Sequence, residues 1–191
     1  IILKESGRLT SIVEELLDIS RIQSGRMKLM TEKIDLVAEL DEAVYMLKER
    51  SIQERKHLMF DSPIEPFPAV MGDKNRLRQV FLNIIDNALK YTPEGGNVIV
   101  QILNKETNIE VLISDTGCGI APEDLPKVKD KFYKANQNVG GSGIGLAVAD
   151  EIVQMHGGTL DIESGIGVGT TVKIFIPVYD ESQSKEDKGE N

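Results

Sequence analysis

The 191-residue chain reads as an α/β protein, a two-layer sandwich in which a mixed, largely antiparallel sheet is covered on one face by helices, with an additional bundle helix at the N-terminus. Three observations predict this. Leu77, Phe81, Ile84, Ile85, Ala88 and Leu89 repeat at helical spacing into "NIIDNALKYTPEG", and "GIGLAVADEIVQMHGG" reads as a helix further on. Between them, "NVIVQILN" and "NIEVLISD" are β-rich runs separated by "KET", the pattern of an antiparallel hairpin. A final pair, "TLDIES" and "TTVKIFIPV", flanks "GIGVG". The length holds one sizeable domain plus a further element, with ample apolar content for a core.

The first element, "IILKESGRLTSIVEELLDISRIQSGRM", places Ile2, Leu9 and Leu16 seven apart with Ile12 and Ile19 interleaved, an a/d seam of about two and a half heptads. Such a helix needs partners, so the chain is expected to open partway through a bundle, with residues 1–30 belonging to it. The alternative is a lone amphipathic helix packed on its own domain, because Glu5, Gly7 and Gln23 interrupt the seam. "MKLMTEKIDL" then reads as a short connection. Leu36, Leu40, Val44, Leu47 and Ile52 carry the next helix. A strand at Leu58 to Asp61, a turn region with Pro63, Pro66 and Pro68, and a short strand around Val70 follow.

Asp73 is placed to cap the helix that contains "NIIDNALKYTPEG", and Pro93 with Gly95 and Gly96 closes it. Residues 117–141 read as an irregular loop with one short helical segment, a length that in a compact domain points to function. Gly157 ends the last helix. The stretch 31–179 is thus one domain, and "DESQSKEDKGEN" at 180–191 has no apolar anchor and reads as a disordered acidic tail.

Composition excludes several classes. A formal charge of -9 argues against a nucleic-acid surface, which draws on clustered Lys and Arg. The single cysteine, Cys118, can form no internal bridge, and with only the distant His57 and His156 it assembles no metal cluster. No run approaches the roughly 20 apolar residues of a membrane span, and no signal peptide is evident. His57 begins a strand, and His156 at a helix end before "GG" suits a structural or dipole role.

The helix that Asp73 caps has an unusual polar face. At about 100° per residue, Asp86, Lys90, Asn83, Asn87 and Tyr91 share one arc, opposite Leu77, Phe81, Ile84, Ile85, Ala88 and Leu89. A solvent face is usually written in Lys and Glu, whereas Asn is a poor helix former. Three glycine clusters follow: "DTGCG" at 115–119, "GGSGIGL" at 140–146 and "GIGVGT" at 165–170. Each alone has a plain explanation as a turn, and neither standard nucleotide fingerprint, the dinucleotide glycine motif in its strand–helix setting or GxxxxGK[ST], is present. As an ordered set they say more. Asp115 can accept a hydrogen bond from an exocyclic amine while a planar ligand lies against Gly117 and Gly119. "GGSGIGL" opens a helix whose N-H groups attract phosphate. Asn oxygens suit a Mg²⁺ held mostly by water and phosphates. Together these fit Mg-ATP.

The series Asn83-x-x-x-Asn87 with Lys90 and Tyr91, Asp115-x-Gly-x-Gly119, "KFYKA", "GGSGIGLAVADEIVQMHGG" and "GVGTTVKIFIP" resembles the N, G1, F, G2 and G3 boxes of sensor histidine kinases. These belong to a wider superfamily of gyrase-like, chaperone-like and mismatch-repair ATPases with the Bergerat-type ATP-binding fold. The resemblance covers residues 1 to about 178, since "LTSIVEELLDISRIQSGRMKL" is similar to the second helix of the family's dimerisation and phosphotransfer domain. It implies that Asn87 coordinates Mg²⁺ and Asn83 lies by the phosphates of ATP. Lys90 and Tyr91 would contact phosphate and nucleoside. Asp115 would bind the adenine amino group, with Gly117, Gly119 and Ile120 beside the base and Thr170 supporting a water there. Lys131, Phe132 and Lys134 would belong to the lid, while Gly141, Gly143, Gly145 and Leu146 form its edge and the phosphate cradle.

The hydrolytic branches of the superfamily carry Glu at the position of Asn83, where an amide cannot act as general base. The resemblance therefore implies transfer of the γ-phosphate to a histidine, then to an Asp of a response regulator receiver domain. It also implies a homodimer through the N-terminal helix and a cytoplasmic portion of a parent anchored at the bacterial inner membrane. Two departures stand out: Lys129 replaces the aromatic that usually begins the F box, predicting altered lid packing, and the acceptor histidine would precede Ile1. The rival readings are a nucleotide-sensing module without kinase activity and an anti-sigma-type serine kinase.

Overall fold

A computed structural model describes residues 2–64, 66–136 and 140–179, with side chains at residues 9, 10 and from 12 onward within those ranges. The expected tail at 180–191 lies outside the described residues, and the Ile2 side chain of the seam is not among the side chains described. In chain order the elements are α1 (Ile2–Gln23), β1 (Glu32–Ile34), α2 (Leu36–Gln53), β2 (His57–Asp61), β3 (Val70–Gly72) and α3 (Lys74–Tyr91). Then come β4 (Asn97–Lys105), β5 (Asn108–Asp115), α4 (Gly145–Met155), β6 (Thr159–Gly165) and β7 (Gly169–Pro177).

Five strands form one sheet in the order β2-β4-β5-β7-β6. β2 runs parallel to β4, pairing His57 with Asn97, and the remaining neighbours are antiparallel. Strand side chains alternate between faces, so Val98, Val100 and Ile102 of β4, Ile109, Val111 and Ile113 of β5, and Ile174 and Ile176 of β7 share one buried layer. Helices cover that layer, α3 over β4 and β5 and α4 over β6 and β7, while α2 packs on β2 and α3. Leu77, Phe81, Ile85 and Leu89 of α3 are fully buried, as their helical spacing predicts.

The stretch 27–36, expected as a plain connection, contains β1, which pairs antiparallel with β3 from Glu32↔Gly72 to Ile34↔Val70. Three residues with only Ile34 buried carry too little alternation to be seen, and the partner strand lies far along the chain.

Asp73 caps α3 as expected, its Oδ1 accepting from the N-H groups of Asn75 and Arg76 at 3.1 and 3.2 Å. Its Oδ2 accepts from Met30 N-H at 2.9 Å, fastening the connection after α1 to the same turn. His156 Nε2 accepts from Asp73 N-H at 2.9 Å, and its Nδ1 lies 2.7 Å from the Ile152 carbonyl, to which it donates. Burial holds its pKa below the ordinary imidazole value. The neutral ring therefore joins the end of α4 to the start of α3, a structural role rather than that of a cation at a helix end.

The α1 seam divides. Ile19 is buried in the core with Ile22 packed against it, whereas Leu9, Val13, Leu16 and Leu17 are exposed. The buried Asp18 carboxylate accepts from Arg76 Nη1 and Gln79 Nε2 of α3, each at 2.8 Å. One side of α1 is packed on the domain, and the other presents an apolar stripe.

Candidate functional site

A cavity of about 550 Å³ lies between the polar face of α3 and the long segment joining β5 to α4. Thirteen of the sixteen expected binding residues line it. Asn83, Asn87, Lys90 and Tyr91 come from α3. Asp115, Gly119 and Ile120 come from the end of β5 and the loop after it, and Thr170 from the start of β7. Lys134, Gly141 and Gly143 come from the loop before α4, and Gly145 and Leu146 from its first turn.

Backbone geometry builds the Asp115 end. Its Oδ1 accepts from Gly117 N-H at 2.8 Å and Thr170 N-H at 3.3 Å, leaving Oδ2 without a partner among the described residues and able to accept from a ligand. Burial raises its pKa above the ordinary carboxylate value, and the two N-H bonds partly oppose that. Gly117 thus stands behind the carboxylate rather than on the cavity wall. Gly119 and Gly169 both have positive φ, 71° and 123°, and a Cβ at either would run into a backbone carbonyl, of Gly165 and Asp115 respectively. Only glycine lets the loop and the β6–β7 hairpin approach this closely.

Ser164, which the sequence did not mark, ties this end together. Its Oγ accepts from Ile120 N-H at 2.8 Å, donates to the Gly169 carbonyl at 2.8 Å, and sits 2.9 Å from Thr170 Oγ1. Its one proton being on Gly169, Thr170 donates to Ser164 and keeps its lone pairs for the cavity.

The other end is made by side chains. Asn83 Nδ2 donates to the Gly145 carbonyl at 3.2 Å, joining α3 to the first turn of α4. Ile144, at the N-cap position, gives no side-chain cap, and the first turn holds no acidic residue. Phe132 N-H donates to the Gly143 carbonyl at 2.9 Å, so the loop folds back on itself. Phe132 itself has φ +68° and a side chain 63% exposed, and Lys131 lies 4.0 Å from Glu151. Neither lines the cavity. Lys129 Nζ donates to Asp150 Oδ1 of α4 at 3.0 Å and to the Leu160 carbonyl of β6. The position expected to alter lid packing is thus an ionic latch at the loop's base, next to Val128 on the cavity wall.

Several lining residues escaped the sequence reading. Met46 and Leu47 of α2 with Ile113, Ile162 and Val172 of the sheet give the apolar wall, indistinguishable in sequence from ordinary core. Asp86, in the polar arc of α3, is paired with Arg50 of α2. Glu15 of α1 reaches the cavity and accepts from Ser142 Oγ. Among the described residues, no three His, Cys, Asp or Glu converge on a metal position.

Residues 72–180 match the family described as histidine kinase-, DNA gyrase B-, and HSP90-like ATPase. The histidine protein kinase DivJ of Caulobacter vibrioides is 34% identical over 178 residues, covering 92% of this chain and 30% of its own length. The adaptive-response sensory kinase SasA of Thermosynechococcus vestitus is 33% identical over 178 residues, with 92% and 47% covered. The chain therefore spans less than half the length of these curated relatives. Full-length ShkA, solved in complex with AMPPNP, superposes with a TM-score of 0.82 at 26% identity over 93% of this chain and 37% of that one. The Acinetobacter baumannii histidine kinase AdeS gives 0.76 at 26% identity, over 93% and 82%.

Proposed function

This chain belongs to the histidine kinase-, DNA gyrase B-, and HSP90-like ATPase family, and from that premise we propose that it is the ATP-binding catalytic portion of a sensor histidine kinase. The observation that carries the reading is the cavity floor, where α3 presents the amides of Asn83 and Asn87, while its Asp86 carboxylate is held by Arg50 rather than placed to activate water. The residues fit the nucleotide. Asp115 Oδ2 accepts from an exocyclic amine, Gly119 and Ile120 line the cavity beside it, and α4 directs N-H groups toward phosphate. Mg²⁺ would take the Asn87 oxygen and complete its shell from phosphates and water, as a site without clustered carboxylates requires.

The nucleotide supplies the transferable phosphoryl group. Asp115 and Thr170 orient the base, Asn83 keeps α4 beside the floor, and Lys90 and Lys134 oppose phosphate charge. The acceptor is a histidine on a separate bundle segment, whose docking face is the exposed stripe of Leu9, Val13, Leu16 and Leu17. In this reading residues 1–30 form the end of a dimerisation domain and 31–179 the catalytic domain. Onward transfer goes to an Asp of a receiver domain, from a cytoplasmic portion of a membrane-anchored parent. Among the described residues no helix is long and apolar enough to cross a membrane.

The test is phosphoryl transfer in trans. With γ-labelled ATP and Mg²⁺ the chain alone should neither hydrolyse briskly nor label itself, and adding a peptide that supplies the partner helix with its histidine should yield acid-labile label on that peptide. Rapid hydrolysis by the chain alone would return it to the hydrolytic branches, and label on serine would favour a serine kinase. Asn87→Ala should lose Mg²⁺ dependence of ATP binding while unfolding as the parent does; an unchanged metal dependence removes Asn87 from the site.

A further inference from the structure

Among the residues lining the cavity, α1 contributes Glu15. Its carboxylate accepts from Ser142 Oγ, which in turn accepts from Ile144 N-H at 3.1 Å, immediately before α4. Glu15 Oε1 also lies 4.0 Å from the position a Cβ would take at Gly145. Helix N-termini favour negative charge, and α4 has neither a capping side chain nor an acidic residue in its first turn. Glu15 supplies that charge from another helix. One turn further along α1, on the same face, Asp18 is held by Arg76 and Gln79, and Ile19 is buried in the core. Seating α1 on α3 therefore places a carboxylate at the first turn of α4.

We propose that Glu15 is a specificity-determining residue that sets the docked α1 and the terminal phosphate of a nucleoside triphosphate in competition for the first turn of α4. This rests on the nucleotide reading above. A di- and a triphosphate share base, sugar and two phosphates, so they present the same groups to Asp115 and Thr170. They differ at the opposite end by one phosphoryl group and its charge. There the triphosphate meets a carboxylate already bonded to Ser142, and like charges in a half-buried site repel. The docked protein accepts a diphosphate and disfavours a triphosphate. Linkage requires the reciprocal effect: a bound triphosphate loosens α1, and a diphosphate leaves it seated.

The test measures Mg-ATP and Mg-ADP affinities of the full 191-residue chain and of Glu15→Gln, which keeps the shape and removes the charge. ATP should bind the variant about tenfold more tightly, with ADP changed less than about twofold. Asp18→Asn, remote from the cavity wall, should shift the ratio in the same direction by freeing α1. Hydrogen exchange of the α1 backbone in the parent should quicken with ATP and stay as in the free protein with ADP. If Glu15→Gln moves both affinities equally, or leaves the ATP/ADP ratio unchanged, Glu15 does not discriminate and the proposal fails while the nucleotide site stands. If neither nucleotide binds either protein, the nucleotide reading fails and this inference with it.

Discussion

The two ends of the cavity are built on different principles. Around Asp115 the work falls to backbone: two N-H groups fix one carboxylate oxygen, and two glycines bring strands and loop within carbonyl contact. Around Gly145 it falls to side chains from separate elements, Asn83, Ser142, Lys129 and, from outside the sandwich, Glu15. At the first end Gly119 and Gly169 cannot take a side chain without disturbing the fold, whereas the other end can be tuned one contact at a time. In the proposed reading, recognition of a base that never changes falls to the first, and response to a phosphate that comes and goes falls to the second.

Substitutions at each end break or sharpen this contrast. The largest effect is expected from Gly169→Ala, which forces a side chain into the Asp115 carbonyl at a left-handed φ; urea unfolding should show a loss of about 3 kcal/mol or more. If stability is retained, the backbone account of that end is wrong. Asp115→Asn separates affinity from stability. It should weaken ATP binding by about 1 to 3 kcal/mol in titration calorimetry, while leaving the fold no less stable at neutral pH. The sign follows from the raised pKa: ionisation of a buried carboxyl costs stability as pH rises through the folded-state value, and Asn removes that cost. Binding runs the other way. A protonated carboxyl loses its acceptor, so parent affinity should fall as pH drops through that raised value, and Asp115→Asn should show no such fall.

At the opposite end a milder response is expected. Lys129→Met removes the latch to Asp150 and Leu160, and should cost only about 1 kcal/mol in global stability. Its main readout is local: faster proteolysis between residues 120 and 136 and faster nucleotide release, both restored by Lys129→Arg. Equal protection in parent and variant would show that the loop is held by something other than this ion pair.

What the sequence made legible follows the same division. The Asn83 and Asn87 face, the N-cap at Asp73 and the hairpin of β4 and β5 are local patterns of a few residues, and each appears where periodicity puts it. Asp115 with its glycines was legible because only glycine tolerates such approaches. The parallel pairing of β2 with β4 and the β1–β3 pair were not, since both join distant segments with little pattern of their own. Lys129 was visible as a departure, but its partners on α4 and β6 are brought to it only by folding. Glu15 sat in a helix whose apolar seam drew attention to the other face, and Phe132 was expected among the lid residues of the site yet turns outward from a left-handed backbone.

Asp73 gives the molecule a mechanical character. Its carboxylate holds the chain at Met30, and within two turns Arg76 and Gln79 hold Asp18, so α1 and its connection are both fastened to one end of α3. The helix then runs, packed on the sheet, to Asn87, roughly 20 Å away at about 1.5 Å per residue. A rotation or pull arriving through α1 is thus applied to the near end of the helix whose far end carries Asn87, the amide proposed above to hold Mg²⁺. The same end of α3 is tied to the end of α4 through His156, so α1, α3 and α4 share one anchor point at Asp73.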